Sequence, residues 1–120
     1  MKETLEQYLE AVYQLSKKSP LVKSIEVSHL LDVNRPDVFR ALKTLKMCGY
    51  IDQQPYGRIL LTPKGKSKAE QCLAIHQLVA DYFTDTVGLS REDATANAYK
   101  VVHVLSDTAI NKLIALYHKP

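Results

Sequence analysis

Ser24-Ile-Glu-Val-Ser-His-Leu-Leu-Asp-Val-Asn-Arg-Pro-Asp-Val-Phe-Arg-Ala-Leu-Lys-Thr-Leu-Lys-Met-Cys-Gly-Tyr-Ile51 holds two short helical patterns with a tight break at Asp32-Val33-Asn34. In the first, Val27, Leu30 and Leu31 fall on one face. In the second, Val38, Leu42 and Leu45 recur at four- and three-residue spacing, with Ala41 beside them. Asn34 is placed to cap the second helix, and Pro36 lies in its first turn, where a missing N–H costs little. Gly49 can take the left-handed conformation that ends it. Two helices joined this closely predict a helix-turn-helix, whose second helix enters a DNA major groove.

The outward side of that second helix carries Arg35, Phe39, Arg40, Lys43, Thr44 and Lys46. Arg40 suits a guanine edge, and Lys43 or Lys46 a phosphate. A solvated amphipathic helix accounts for the charges equally well, but not for Phe39, an aromatic on a polar face. Between Asn34 and Lys68 eight basic residues stand against two acids, a net of +6, in a chain of net +3. The remainder is therefore acidic, and the basic middle predicts an anionic partner, most simply double-stranded DNA.

Around this stretch the 120 residues suffice for one domain, or one domain with a small appendage. Residues 3–17 predict a first helix with Leu5, Tyr8, Leu9, Val12 and Leu15 on one face and Glu3, Glu6 and Glu10 toward its N-terminal half. A short connection after Pro20 leads into the helix-turn-helix. Tyr50–Leu61 reads as a hairpin turning at Pro55-Tyr56-Gly57, a two-stranded wing with Arg58 placed for the phosphate backbone. Thr62 and Pro63 open a long helix to residue 87, with Ala69, Cys72, Leu73, His76, Val79, Ala80 and Phe83 on one face; Gly88 ends it. Ser90 starts another helix, with Ala94, Ala98, Val101, Val102 and Leu105 as its stripe. Ser106-Asp107 caps a last one, lined by Ile110, Leu113, Ile114 and Tyr117. These C-terminal helices carry more apolar surface than a small domain needs, which predicts a homodimer contact through those four residues.

The expected fold is mainly α: a winged helix-turn-helix of three helices and a two-stranded wing over residues 1–62, then an all-helical dimerisation domain over 63–120. Cys48 and Cys72 form no CxxC pair, and no apolar run reaches membrane length, so they read as reduced thiols of a cytoplasmic protein. No Gly-rich phosphate loop, GxSxG or HExxH occurs, and His29, His76, His103 and His118 are scattered, so no enzyme is predicted. The alternative to DNA binding is a winged helix that binds protein only. On spacing alone His76 is a hydrogen-bonded core residue, and Cys72, one turn earlier, a small buried hydrophobe.

The order of parts resembles the metal-dependent repressors of the diphtheria toxin repressor and manganese transport regulator type (DtxR/MntR). The matching blocks are LEQYLEAVYQL (5–15), the helix-turn-helix, GYI (49–51) with the wing, LTPKGK (61–66), the His76 helix, VGLSREDA (87–94) and HVLSD (103–107). The resemblance implies a homodimer on an interrupted palindromic operator, with iron(II) or manganese(II) as co-repressor. It places DNA contacts at Asn34, Arg35, Pro36, Asp37, Phe39 and Arg40. It carries the metal ligands onto Gln7, Glu10, His76, Tyr99, Val102 and His103. Glu10, His76 and His103 keep ligand chemistry. Gln7 stands where relatives have Asp or Met, Tyr99 where they have Glu or Cys, and Val102 where they have Glu. Ala80 replaces an acid at the second metal position. Two outcomes follow: a site of Glu10, His76 and His103, with Cys72, Gln7 or Tyr99 as further candidates, that suits zinc better than manganese, or a cavity filled by side chains and a regulator that needs no metal.

Overall fold

The computed structural model describes residues 4–102 and 104–117, the side chain of Tyr117 excepted. The elements are α1 (Leu5–Ser16), β1 (Leu21–Lys23), α2 (Ser24–Leu31), α3 (Arg35–Met47), β2 (Ile51–Gln54), β3 (Arg58–Leu61), α4 (Pro63–Tyr82), α5 (Arg91–Val102) and α6 (Asp107–Tyr117). Two compact units divide the chain, one up to Glu70 and one from Gln71.

The first unit is a winged helix. α1 opens with a reciprocal capping box: Gln7 N–H donates to Thr4 Oγ1 at 3.3 Å, and Thr4 N–H to Gln7 Oε1 at 2.8 Å. Its 3.6-residue apolar period puts Tyr8, Leu9 and Val12 on one buried side. Between α2 and α3 the chain reverses through Asp32, in the left-handed region at φ 52°. Ser28 Oγ donates to Val33 O at 2.6 Å and secures the turn. Asn34 Oδ1 accepts from Asp37 N–H at 2.9 Å and caps α3. α3 closes with paired bonds, Gly49 N–H to Lys46 O and Tyr50 N–H to Leu45 O, both 3.0 Å, which need Gly49 at φ 80°.

A third strand departs from the expected two-stranded wing. β1, expected as a connection, pairs antiparallel with β3, so the sheet order is β1-β3-β2. Three residues are too few to show a period of two, and the strand exists only because β3 offers an open edge. The pairing sets Val22 opposite Ile59 and Lys23 opposite Arg58. Val22, Ile51 and Ile59 turn inward onto Tyr8, Val12, Val27, Val38, Leu42 and Leu45, and close the core. Each full burial of an aliphatic side chain stabilises by about 1.5–3 kcal/mol.

Thr62 joins β3, the end of α3 and the start of α4. Its Oγ1 donates to Gly49 O at 2.7 Å and accepts from Gly65 N–H at 3.0 Å. Gly65 lies so close to Tyr50 that a Cβ would stand 2.0 Å from the Tyr50 carbonyl oxygen. Lys64 Nζ donates to Cys48 O at 2.9 Å, a cation at the carbonyl end of α3.

In the second unit the helix expected to run to residue 87 is α-helical to Tyr82. A π-helical turn, Phe83–Val87, follows and ends at Gly88 (φ 86°). Ser90 Oγ accepts from Asp93 N–H at 3.2 Å and Ser106 Oγ from Ala109 N–H at 3.1 Å, capping α5 and α6 as the sequence predicts. Val79, Ala80 and Ala98 form a small core, with Leu78, Phe83, Val102 and Leu113 packed against it.

Candidate nucleic-acid interface and metal-ligand positions

α3 buries Val38, Ala41, Leu42 and Leu45. The 3.6-residue repeat then turns Asn34, Arg35, Pro36, Phe39, Arg40, Lys43, Thr44 and Lys46 outward, all exposed. Phe39 is 66% exposed, so its ring contributes nothing to the core. Asp37 and Arg40, one turn apart, form an ion pair, the Asp37 side chain 21% exposed and the Arg40 side chain 64%. Arg58 is exposed on β3 beside Lys23 of β1. A groove of about 430 Å³ runs between the start of α3 and the wing, lined among others by Lys23, Arg35, Phe39, Gln53 and Tyr56. The DNA-binding positions expected from sequence thus share one winged-helix unit and lie outside its core.

Two residues of this surface escaped the sequence analysis. Lys23 was hidden with its strand. Tyr56 reads from sequence only as a turn residue, yet it is 98% exposed and holds the left-handed conformation at φ 64°, an uncommon state for a non-glycine residue. An aromatic between Pro55 and Gly57 at a hairpin tip was the available signal.

The metal-ligand positions behave differently. Glu10 is 2% exposed and His76 5%. A buried carboxylate is stable only with compensating partners, so both positions have the enclosure a ligand needs. Gln7 Oε1, however, is committed to the α1 cap. In the second unit Tyr99 lies against His76, ring centroids 4.3 Å apart and planes at 28°. Val102 packs on the small core that contains Ala80. Two positions where the family resemblance predicts acids therefore hold apolar packing residues. His103 lies outside the described residues, as do Glu3 and His118 and the side chain of Tyr117. Among the described residues no three His, Cys, Asp or Glu side chains are grouped for a metal. The donor set does not fit an oxygen-rich site for manganese(II); its chemistry fits an ion that accepts imidazole. Cys72 is buried one turn before His76 on α4.

Of the candidate dimer residues, Ile110, Leu113 and Ile114 are half-buried, and Leu116 beside them is exposed. Among the described residues no helix is long and apolar enough to cross a membrane.

Residues 1–59 match the family model described as iron dependent repressor, N-terminal DNA binding domain. Residues 62–120 match the iron dependent repressor, metal binding and dimerisation domain. An HTH-type transcriptional regulator of Methanocaldococcus jannaschii is 32% identical over 114 residues, covering 94% of this chain and 91% of that protein. The transcriptional regulator MntR of Salmonella typhimurium is 26% identical over 114 residues, covering 95% of this chain and 72% of its own length. The solved metal-dependent transcriptional regulator MtsR superposes with a TM-score of 0.84 at 23% identity, over all of this chain and 56% of the solved one. That likeness bears out the winged helix followed by a helical domain. Together the two family models account for nearly every residue, and the chain belongs to the iron dependent repressor family of transcriptional regulators.

Proposed function

We propose that the protein represses transcription as a homodimer bound in the cytoplasm to an interrupted palindromic operator. Residues 1–62 form the DNA-binding domain in this reading, and 63–120 the dimerisation and metal-responsive domain. α3 enters the major groove, with Arg40 at a base edge and Arg35, Lys43 and Lys46 near phosphates. Arg58 and Lys23 take the backbone beside the wing. Ile110, Leu113, Ile114 and Tyr117 join two copies, setting their recognition helices about one helical turn apart, roughly 34 Å. The observation that carries the reading is the outward face of α3, where cations and a 66%-exposed Phe39 stand clear of a closed core.

The metal response is altered relative to the family's manganese and iron members. The family resemblance leaves ligand chemistry at Glu10, His76 and His103, and Cys72 lies one turn before His76 on α4. Their chemistry favours zinc over manganese, because two positions expected to supply oxygen ligands hold Val102 and Ala80. A bound ion would supply a fixed positive charge to these side chains. A gel shift on the DNA upstream of the gene, with zinc, manganese, iron or chelator, tests both parts. Specific retardation that zinc strengthens and manganese leaves unchanged is the expected result. Retardation restored by manganese alone, and lost in His76→Ala, contradicts the altered site.

A further inference from the structure

Asp37 is out of place on a surface that meets phosphates. Coulomb repulsion makes a carboxylate there unfavourable for general DNA affinity. Its geometry points to another use. The backbone N–H of Asp37 is held by Asn34 Oδ1 at 2.9 Å, which fixes the residue in the first turn of α3. From there the carboxylate Oδ1 accepts from Arg40 Nη2 one turn on, while the Arg40 side chain remains 64% exposed. A guanidinium has five N–H donors in a rigid plane. Engaging one leaves four, enough for the paired contact with guanine O6 and N7. The carboxylate limits rotation of the Arg40 side chain, so less freedom is lost when it meets a base. It also neutralises Arg40 toward phosphates, which weakens binding to arbitrary sequence.

We propose that Asp37 is a positioning residue that sets Arg40 for a guanine, so that each operator half-site carries a fixed guanine read by Arg40. The inference rests on the major-groove placement of α3 proposed above. Aspartate near a helix N-terminus also favours the helix dipole. That role is separable, because it does not involve Arg40 and carries no sequence preference.

The test compares full-length wild type, Asp37→Asn, Arg40→Ala and the double variant, each first shown to fold by circular dichroism. Each is used to select sites from a randomised duplex pool, then titrated with unselected duplex at several salt concentrations. Wild type is expected to enrich a palindrome with one invariant guanine per half-site. Asp37→Asn should lose preference at that position alone, by roughly tenfold. It should bind unselected duplex more tightly, with a log–log salt slope steeper by about 0.9, the value of one unmasked cation. In the Arg40→Ala background Asp37→Asn should change nothing further. The proposal is overturned if Asp37→Asn keeps the guanine preference, if its effect persists without Arg40, or if the wild-type site has no fixed guanine. Failure of wild type to enrich any sequence would overturn the DNA-binding reading as well; an enriched site that Asp37→Asn reads unchanged would overturn this proposal alone.

Discussion

In the winged helix, Tyr8, Leu9, Val12, Val27, Leu45, Ile51 and Ile59 are sealed from solvent by helices and sheet of the same unit. From Gln71 onward the enclosed apolar residues among those described are smaller, Cys72, Val79, Ala80, Ala94 and Ala98, with His76 the one large buried side chain, while Val87, Val104 and Leu116 face outward. A core of large side chains supports a DNA surface without help. A small core of Val79, Ala80 and Ala98 leaves apolar helix faces over, and such faces suit a second copy of the chain. The contrast extends to function. The positions expected to meet DNA gather on the outward side of α3, with Arg58 on the neighbouring β3, whereas the expected metal-ligand positions are spread along the sequence from α1 to the end of α5, and Val102 and Ala80 among them serve packing.

Ways to break this comparison follow in order of size. Ile114→Asp should abolish the dimer: light scattering should fall from twice the 13.5 kDa chain mass to the chain mass. Operator affinity should drop on the order of 100-fold with loss of the second half-site. A wild-type protein that is already monomeric at micromolar concentration would remove the basis for the contrast. Leu45→Ala, deep in the winged helix, should cost about 2–5 kcal/mol in urea unfolding. Val102→Ala, half-buried in the other unit, should cost clearly less, and an equal cost would mean that the helical core is as tightly closed. Asn34→Ala removes the α3 cap and should lower stability by about 1 kcal/mol, read from the thermal midpoint. The smallest effect belongs to Tyr56→Gly. It relieves the positive φ at the wing tip and should change stability by at most about 1 kcal/mol, so any larger loss of DNA affinity reports a direct contact by the ring.

The winged helix was legible because its signals are local. Asn34 and Pro36 mark a helix start, Gly49 a stop, Thr62-Pro63 another start, and the apolar spacing of α3 reports its buried face directly. β1 was not, since Leu21–Lys23 owes its conformation to a partner nearly forty residues away. The π-helical turn at Phe83–Val87 was also hidden, because the apolar stripe runs on through it. At the candidate sites, residue types revealed which ligand positions had lost their donors. They did not reveal that Gln7 is engaged in a capping box or that Tyr99 stacks on His76, since both depend on side-chain direction. The Asp37–Arg40 pair had a visible spacing of three, but the sequence could not tell a clamp from two solvated charges.

The most direct test of a DNA-reading α3 is the equilibrium affinity of wild type and of the Arg40→Ala/Lys43→Ala double variant for duplex from the gene's own upstream region, against scrambled duplex of equal length. The account predicts a specific preference in wild type that the double variant loses, with its salt slope reduced by about 0.9 or more for the phosphate contact of Lys43. Unchanged preference in the double variant, with its fold intact, would contradict it.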